Sequence, residues 1–147
     1  MAHEVLFDTS GFFALLDQFD PANPAATKWI TSERARLRPL TTEWIVGETC
    51  TLLIARRRPY LVRQFLDYLE QSTALLVVNP DETLIRSARK FIRRQAEQGY
   101  SFVDCLSFCV MKERKISEAL TTDAHFRKAG FSPLLERVLE FGLESRL

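Results

Sequence analysis

A chain of 147 residues, 46% hydrophobic, reads as one domain spanning residues 1–147, with enough apolar side chains for a core that needs no staples. Its 20 Lys+Arg against 19 Asp+Glu leave a formal charge of +1, so global charge excludes neither an acidic nor a basic partner and only its distribution is informative. Cys50, Cys105 and Cys109 all fall in apolar helical patterns and read as small buried hydrophobes, not a disulfide framework. No apolar run is long enough to span a membrane and the opening Met-Ala-His-Glu is no signal peptide, so a cytoplasmic protein without membrane association is expected.

Val5-Leu6-Phe7 reads as a buried parallel strand that stops at the polar turn Asp8-Thr9-Ser10-Gly11. A helix from Phe12 to Leu16 follows, with Ser10 as its N-cap. The loop Asp20-Pro21-Ala22-Asn23-Pro24 opens a second helix over Ala25 to Arg36. Arg38 to Thr41 is a brief second strand, and Thr42 caps a third helix from Glu43 to Arg57. Pro59 opens a fourth, to Glu70. Leu75 to Val78 is a third strand, and an amphipathic helix from Glu82 to Gln98 ends at Gly99. After Ser101 comes a helix apolar nearly all round, Phe102 to Met111, which belongs in a core. Glu118 to Thr122 is a fourth strand ending at Asp123, followed by a short helix to Lys128 that Gly130 stops. Val138 to Phe141 is a candidate last strand. Short strands alternating with helices predict an α/β fold with a four- to five-stranded, mainly parallel sheet covered on both faces.

Four acids stand in awkward apolar settings. Asp8 and Asp123 each follow an apolar strand, which places them at the carboxyl edge of the sheet, where functional groups gather in open α/β folds. Each reads equally well as a helix cap. Glu48 lies three residues after Ile45 and four before Leu52, so it shares their face and is expected to point at the sheet, with an ion pair to an arginine as the ordinary alternative. Glu43, in the first turn, suits the helix dipole and reads as structural. Asp104 is the lone carboxylate of the apolar helix. Ser101-Phe102-Val103-Asp104 has the form of a capping box, which leaves the carboxylate free for a second task. Carboxylates that converge repel one another unless a cation intervenes, and oxygen-only ligation suits Mg²⁺, with Mn²⁺ as the alternative ion. His3 and His125 are too scattered for a zinc site, and His125 reads as a surface residue in preference to a substrate contact.

Leu6-Phe7-Asp8-Thr9-Ser10-Gly11-Phe12-Phe13, Thr41-Thr42-Glu43-Trp44-Ile45-Val46-Gly47-Glu48-Thr49, Ser101-Phe102-Val103-Asp104-Cys105-Leu106-Ser107-Phe108 and Leu120-Thr121-Thr122-Asp123-Ala124-His125-Phe126 occur in that order along almost the whole chain. In this order and spacing the sequence resembles the PIN domain family, and within it the VapC-type toxin ribonucleases of toxin–antitoxin pairs. The resemblance implies a PIN-like three-layer sandwich and metal-binding, catalytic roles for Asp8, Glu48, Asp104 and Asp123. It implies supporting roles for Ser10 and Ser101. It further implies an Mg²⁺-dependent hydrolysis of RNA, a homodimer and a VapB-type antitoxin that covers the active site. The chain departs from many relatives at Thr121, where they carry a further acid, so Asp123 is expected to serve without that neighbour.

Arg86, Arg89, Lys90, Arg93 and Arg94 lie on one helix, and Arg56-Arg57-Arg58 forms a second cluster. Both suit a phosphate backbone, and both equally suit solvated surface. Phe12 and Phe13 read as core before base-stacking residues. A phosphatase with Asp8 as nucleophile is disfavoured because Ser10 stands where its second acid belongs, and a receiver domain because the middle strand ends in Asn79. The remaining alternatives are a PIN-like RNA- or protein-binding module that does not cut, and a housekeeping RNA-processing nuclease.

Overall fold

The computed structural model describes residues 2–136. Five strands form one sheet: β1 (His3–Phe7), β2 (Leu37–Thr42), β3 (Leu76–Val78), β4 (Glu118–Leu120) and β5 (Ser132–Pro133). All four pairings are parallel and the spatial order is β3-β2-β1-β4-β5. The candidate strand Val138 to Phe141 lies outside the described residues. β5 was not expected from sequence: it is two residues long and contains Pro133, too short for a periodic signal. It hangs on β4 through the Ser132 N–H to Ser117 O at 2.8 Å and the Leu134 N–H to Ala119 O at 3.0 Å. β5 is an edge strand, where a proline costs the sheet no ladder bond if its nitrogen faces away from the partner.

Seven helices connect the strands: α1 (Thr9–Leu16), α2 (Asn23–Glu33), α3 (Glu43–Ala55), α4 (Pro59–Gln71), α5 (Glu82–Arg94), α6 (Phe102–Arg114) and α7 (Ala124–Lys128). From β1 the chain steps outward through β2 to β3, then crosses back to the other side of β1 for β4. Right-handed crossovers therefore set α1 to α4 on one face and α5 and α6 on the other, which makes three layers. The packing agrees, with α1 against α2, α3 and α4, and α5 against α6. The topological switch point falls between β1 and β4, which is where such folds open a crevice at the carboxyl edge.

Val5, Leu6 and Phe7 are fully buried because β1 is central and covered on both faces. Phe7 meets Phe12 and Trp29 edge-to-face, with centroids 5.7 and 6.1 Å apart, and Phe12 meets Phe65 at 4.8 Å. Phe12, Phe13 and Phe65 are all buried core residues. On the second layer Phe108 is ringed by Phe126 at 5.0 Å, Tyr100 at 5.2 Å, Phe131 at 5.6 Å and Phe91 at 5.9 Å. Each such pair adds about 1 kcal/mol beyond area burial. Together they hold α6 as a rigid rod.

Helix starts follow local chemistry. Thr42 accepts the Ile45 N–H at 3.1 Å and Asp81 accepts the Leu84 N–H at 2.9 Å. At α6 both halves of the expected capping box form: Ser101 Oγ accepts the Asp104 N–H at 3.0 Å, and Asp104 Oδ2 accepts the Ser101 N–H at 3.1 Å. The expected cap of α1 does not form. The helix begins at Thr9, the N-cap is Asp8 with no side-chain cap bond, and Ser10 lies inside the first turn. α1 crosses the end of β4 so closely that a Cβ on Gly11 would lie 2.0 Å from the Leu120 carbonyl oxygen, which only glycine permits. No helix among the described residues is long and apolar enough to cross a membrane.

Candidate metal centre

The carboxyl edge of the sheet opens into a cleft lined by Asp8, Ser10, Glu48, Asp104 and Asp123, with Phe13 and Arg56 at its wall. Four elements deliver the acids. Asp8 terminates β1, Glu48 projects from α3, Asp104 from the first turn of α6, and Asp123 follows β4. All four acids expected from the sequence therefore converge on one place. Glu48 reaches it by a different route from the one expected. The face of α3 buried in the core carries Ile45, Thr49 and Leu53, while Glu48 and Leu52 are half-buried and line the cleft.

Burial, with the Asp104 charge second, pushes the Asp8 carboxyl up to about 7 even though the Thr121 hydroxyl opposes the shift. Burial also raises Asp104, with Asp123 adding to it and the Ser101 N–H and His125 opposing. Glu48 is raised by burial and then by Asp104, against a hydrogen bond from Thr9. Among the described residues no Lys or Arg lies within ion-pair distance of these four acids. Converging carboxylates of this kind are compatible with a cation that would relieve their repulsion.

The residues fit a divalent ion. Donor atoms of Asp104, Asp123 and His125 lie within 4.8 Å of one another. His125 Nδ1 stands 3.2 Å from Asp104 Oδ2 and 3.5 Å from Asp123 Oδ1. Its ring meets Tyr100 edge-to-face at 5.3 Å. The reading of His125 as a bland surface residue is therefore corrected: Asp123 caps α7 by accepting the His125 N–H at 2.9 Å, and that turn swings the imidazole into the acid cluster. Carboxylates with one imidazole suit Mg²⁺ or Mn²⁺, and the imidazole adds affinity for the latter.

Thr121 is a second residue of the site that the sequence does not single out as a working group. It is fully buried, and its hydroxyl donates to Asp8 Oδ2 at 3.0 Å. Ser10 Oγ lies 2.9 Å from the same hydroxyl. The available signal was a polar, β-branched residue immediately after the buried apolar pair Ala119-Leu120. Ser101 holds Asp104 through the capping box, as expected.

The arginines part company. The Arg56 guanidinium stacks on the Phe13 ring, 4.5 Å from its centroid, beside the acids. Arg57 takes a left-handed backbone with φ 58°, and Arg58 turns away to Asp17 at 3.7 Å and Tyr60 at 3.2 Å. Arg86 pairs with Glu82 at 3.3 Å along α5. Neither Arg57 nor Arg58 lines the cleft, and neither do Arg86, Arg89 or Arg93.

Comparison with known proteins agrees with this architecture. The model of the PIN domain matches residues 5–132. The 23S rRNA-specific endonuclease VapC20 of Mycobacterium tuberculosis is 30% identical over 127 residues, covering 86% of this chain and 95% of that protein, in both strains compared. Its crystal structure, described as a Sarcin-Ricin loop cleaving toxin, superposes with a TM-score of 0.79 over the same shares of the two chains. Sequence pattern, parallel sheet and acid cleft thus meet in one assignment: the chain belongs to the PIN domain family and is a homologue of the VapC-type ribonuclease toxins.

Proposed function

We propose that this chain hydrolyses RNA phosphodiester bonds with Mg²⁺, as the toxin of a type II toxin–antitoxin pair. One observation carries the reading. Four carboxylates from four elements converge at the switch point of the sheet, and three of them are held above their ordinary protonation range by burial and by one another. Asp8, Glu48, Asp104 and Asp123 hold the ion, and Ser10 and Ser101 keep Asp8 and Asp104 in place. When bound, the ion supplies Lewis acidity and offsets charge on the phosphate and leaving oxygen. A carboxylate of the cluster takes the proton of the attacking water. The water oxygen forms a bond to phosphorus as the P–O3′ bond breaks, and the departing O3′ takes a proton from solvent, leaving a 5′-phosphate and a 3′-hydroxyl.

Arg56, fixed on Phe13, is the RNA contact nearest the acids. Arg57, Arg58, Arg86, Arg89 and Arg93 form an outer, salt-sensitive track for the backbone. An acid cleft would otherwise repel a polyanion. A VapB-type antitoxin that masks the cleft, a homodimer and a cytoplasmic location complete the proposal. The likeness to VapC20 supports 23S rRNA as the first substrate to test.

The test is cleavage of labelled RNA by the purified chain with Mg²⁺ and with EDTA. Asp8→Asn and Asp104→Asn are expected to keep the fold and lower the rate by about a hundred- to a thousandfold, in line with the loss of a central electrostatic group. Full activity in either variant, or undiminished cleavage in EDTA, would overturn the assignment.

A further inference from the structure

Beneath the cleft, two hydroxyls form a chain whose proton direction can be counted. The Thr122 N–H donates to Ser10 Oγ at 2.9 Å, and the Asp123 N–H donates to Thr121 Oγ1 at 3.1 Å. A backbone N–H only donates, so one acceptor position on each hydroxyl is filled. Ser10 Oγ and Thr121 Oγ1 are 2.9 Å apart, and Thr121 Oγ1 is 3.0 Å from Asp8 Oδ2. Each hydroxyl carries one proton and two lone pairs. In the ionised form that takes a cation, Asp8 has no proton to give, so the Thr121 proton goes to Asp8. The proton shared between the two hydroxyls must then come from Ser10.

Thr121 is saturated by this count, with its proton given and both lone pairs filled, and it is fully buried. It has nothing left to offer an ion or an RNA. Ser10 sits on α1, Thr121 follows β4 and Asp8 follows β1, so the chain spans the three elements that meet at the switch point. It fixes the Asp8 Oδ2 oxygen. Partners of this kind orient a metal ligand, and losing one costs 10- to 100-fold in metal affinity.

We propose that Ser10 and Thr121 form a positioning relay for Asp8, in which Ser10 acts through Thr121 and neither hydroxyl contacts the ion. The relay rests on the metal-centre reading above. Mn²⁺ titration of the full chain by calorimetry tests it without reference to activity. Thr121→Val is expected to bind Mn²⁺ about tenfold more weakly or worse. Thr121→Ser, which keeps the hydroxyl, is expected to bind within about twofold of the wild type by the same reasoning. Ser10→Ala weakens binding in the wild-type background and adds nothing in the Thr121→Val background, because its only path to Asp8 is already cut. Thr121→Ala replaces Thr121→Val in this cycle if the valine chain does not fold by circular dichroism.

An undiminished affinity in Thr121→Val or Thr121→Ala would overturn the relay. So would a Ser10→Ala loss that persists unchanged in the doubly substituted chain, since Ser10 would then reach the ion directly. A wild type that binds no Mn²⁺ would overturn the metal centre itself, and the relay with it. Binding by the wild type with additive losses would overturn the relay alone.

Discussion

The same two strands carry acids at both of their ends, and the two ends treat them in opposite ways. Where β1 and β4 begin, His3 stands between Glu33 at 3.2 Å and Glu118 at 2.5 Å, and Arg36 reaches Glu33 at 3.1 Å. There the charges satisfy one another: the neighbouring acids hold a proton on His3, and Arg36 and His3 lower Glu33. Where β1 and β4 finish, Asp8, Asp104, Asp123 and Glu48 face each other with no Lys or Arg paired to them among the described residues, and Asp8 rises to about 7. One end pairs its charges, and the other sets like charges against one another, which is where the proposed ion would act. Composition alone hides this contrast, because the chain as a whole is nearly neutral.

The contrast breaks most visibly in the metal-free protein. Asp8 has a folded value above its unfolded one, so its protonated form favours folding. That contribution is complete below about pH 4 and is lost as pH climbs toward 7. Asp104 and Glu48 act in the same sense. Thermal unfolding without metal is therefore expected to fall by several degrees between pH 5 and pH 8, and Mg²⁺ at pH 8 restores most of the loss. Asp8→Asn should flatten the fall and blunt the response to Mg²⁺. A flat profile in the wild type would mean that the acids do not strain one another.

A smaller effect distinguishes the cleft arginine from the others. Arg56→Gln is expected to raise KM for RNA about tenfold and reduce the salt slope of binding by about 1, with Mn²⁺ affinity unchanged. Arg86→Gln, away from the cleft, should do less in a short substrate. Equal effects from both would remove the special place given to the Phe13 shelf.

The smallest effect belongs to the balanced end. His3 is raised, so its contribution is present below about pH 6.5 and fades as pH rises through its folded value. His3→Gln is expected to lower stability by about 1 kcal/mol or less at pH 5 and by less still at pH 8, as befits part-exposed pairs. Denaturant melts at the two pH values measure it. A larger loss at pH 8 would reverse the assigned sign.

Much of this was legible in the chain, for identifiable reasons. β1 and α6 announce themselves by apolar runs that end or begin at a single acid, and the capping spacing from Ser101 to Asp104 is local enough to read directly. Asp8, Glu48, Asp104 and Asp123 stood out because a carboxylate on an apolar element needs a partner. What stayed hidden depends on contacts across the fold. Thr121 looked like a missing acid because its value lies in an oxygen 113 residues away. Ser10 resembled a cap because caps are local, whereas its actual partners come from the far end of the chain. His125 looked superficial because only the turn made by Asp123 aims it inward. Arg56 was indistinguishable from Arg57 and Arg58 until the end of α3 sent the three in different directions. β5 was missed because two residues carry no period.

Gly11 has the widest reach of these features. Its missing side chain lets α1 rest on the Leu120 carbonyl, and that contact sets how far Ser10 stands from Thr121. A methyl group there would lever the helix off the strand and draw the serine hydroxyl out of register with its partner. The tolerance of the whole centre is therefore fixed by an atom the chain does not have. A lineage that lost this glycine would have to re-invent the geometry under Asp8, not merely repack a helix.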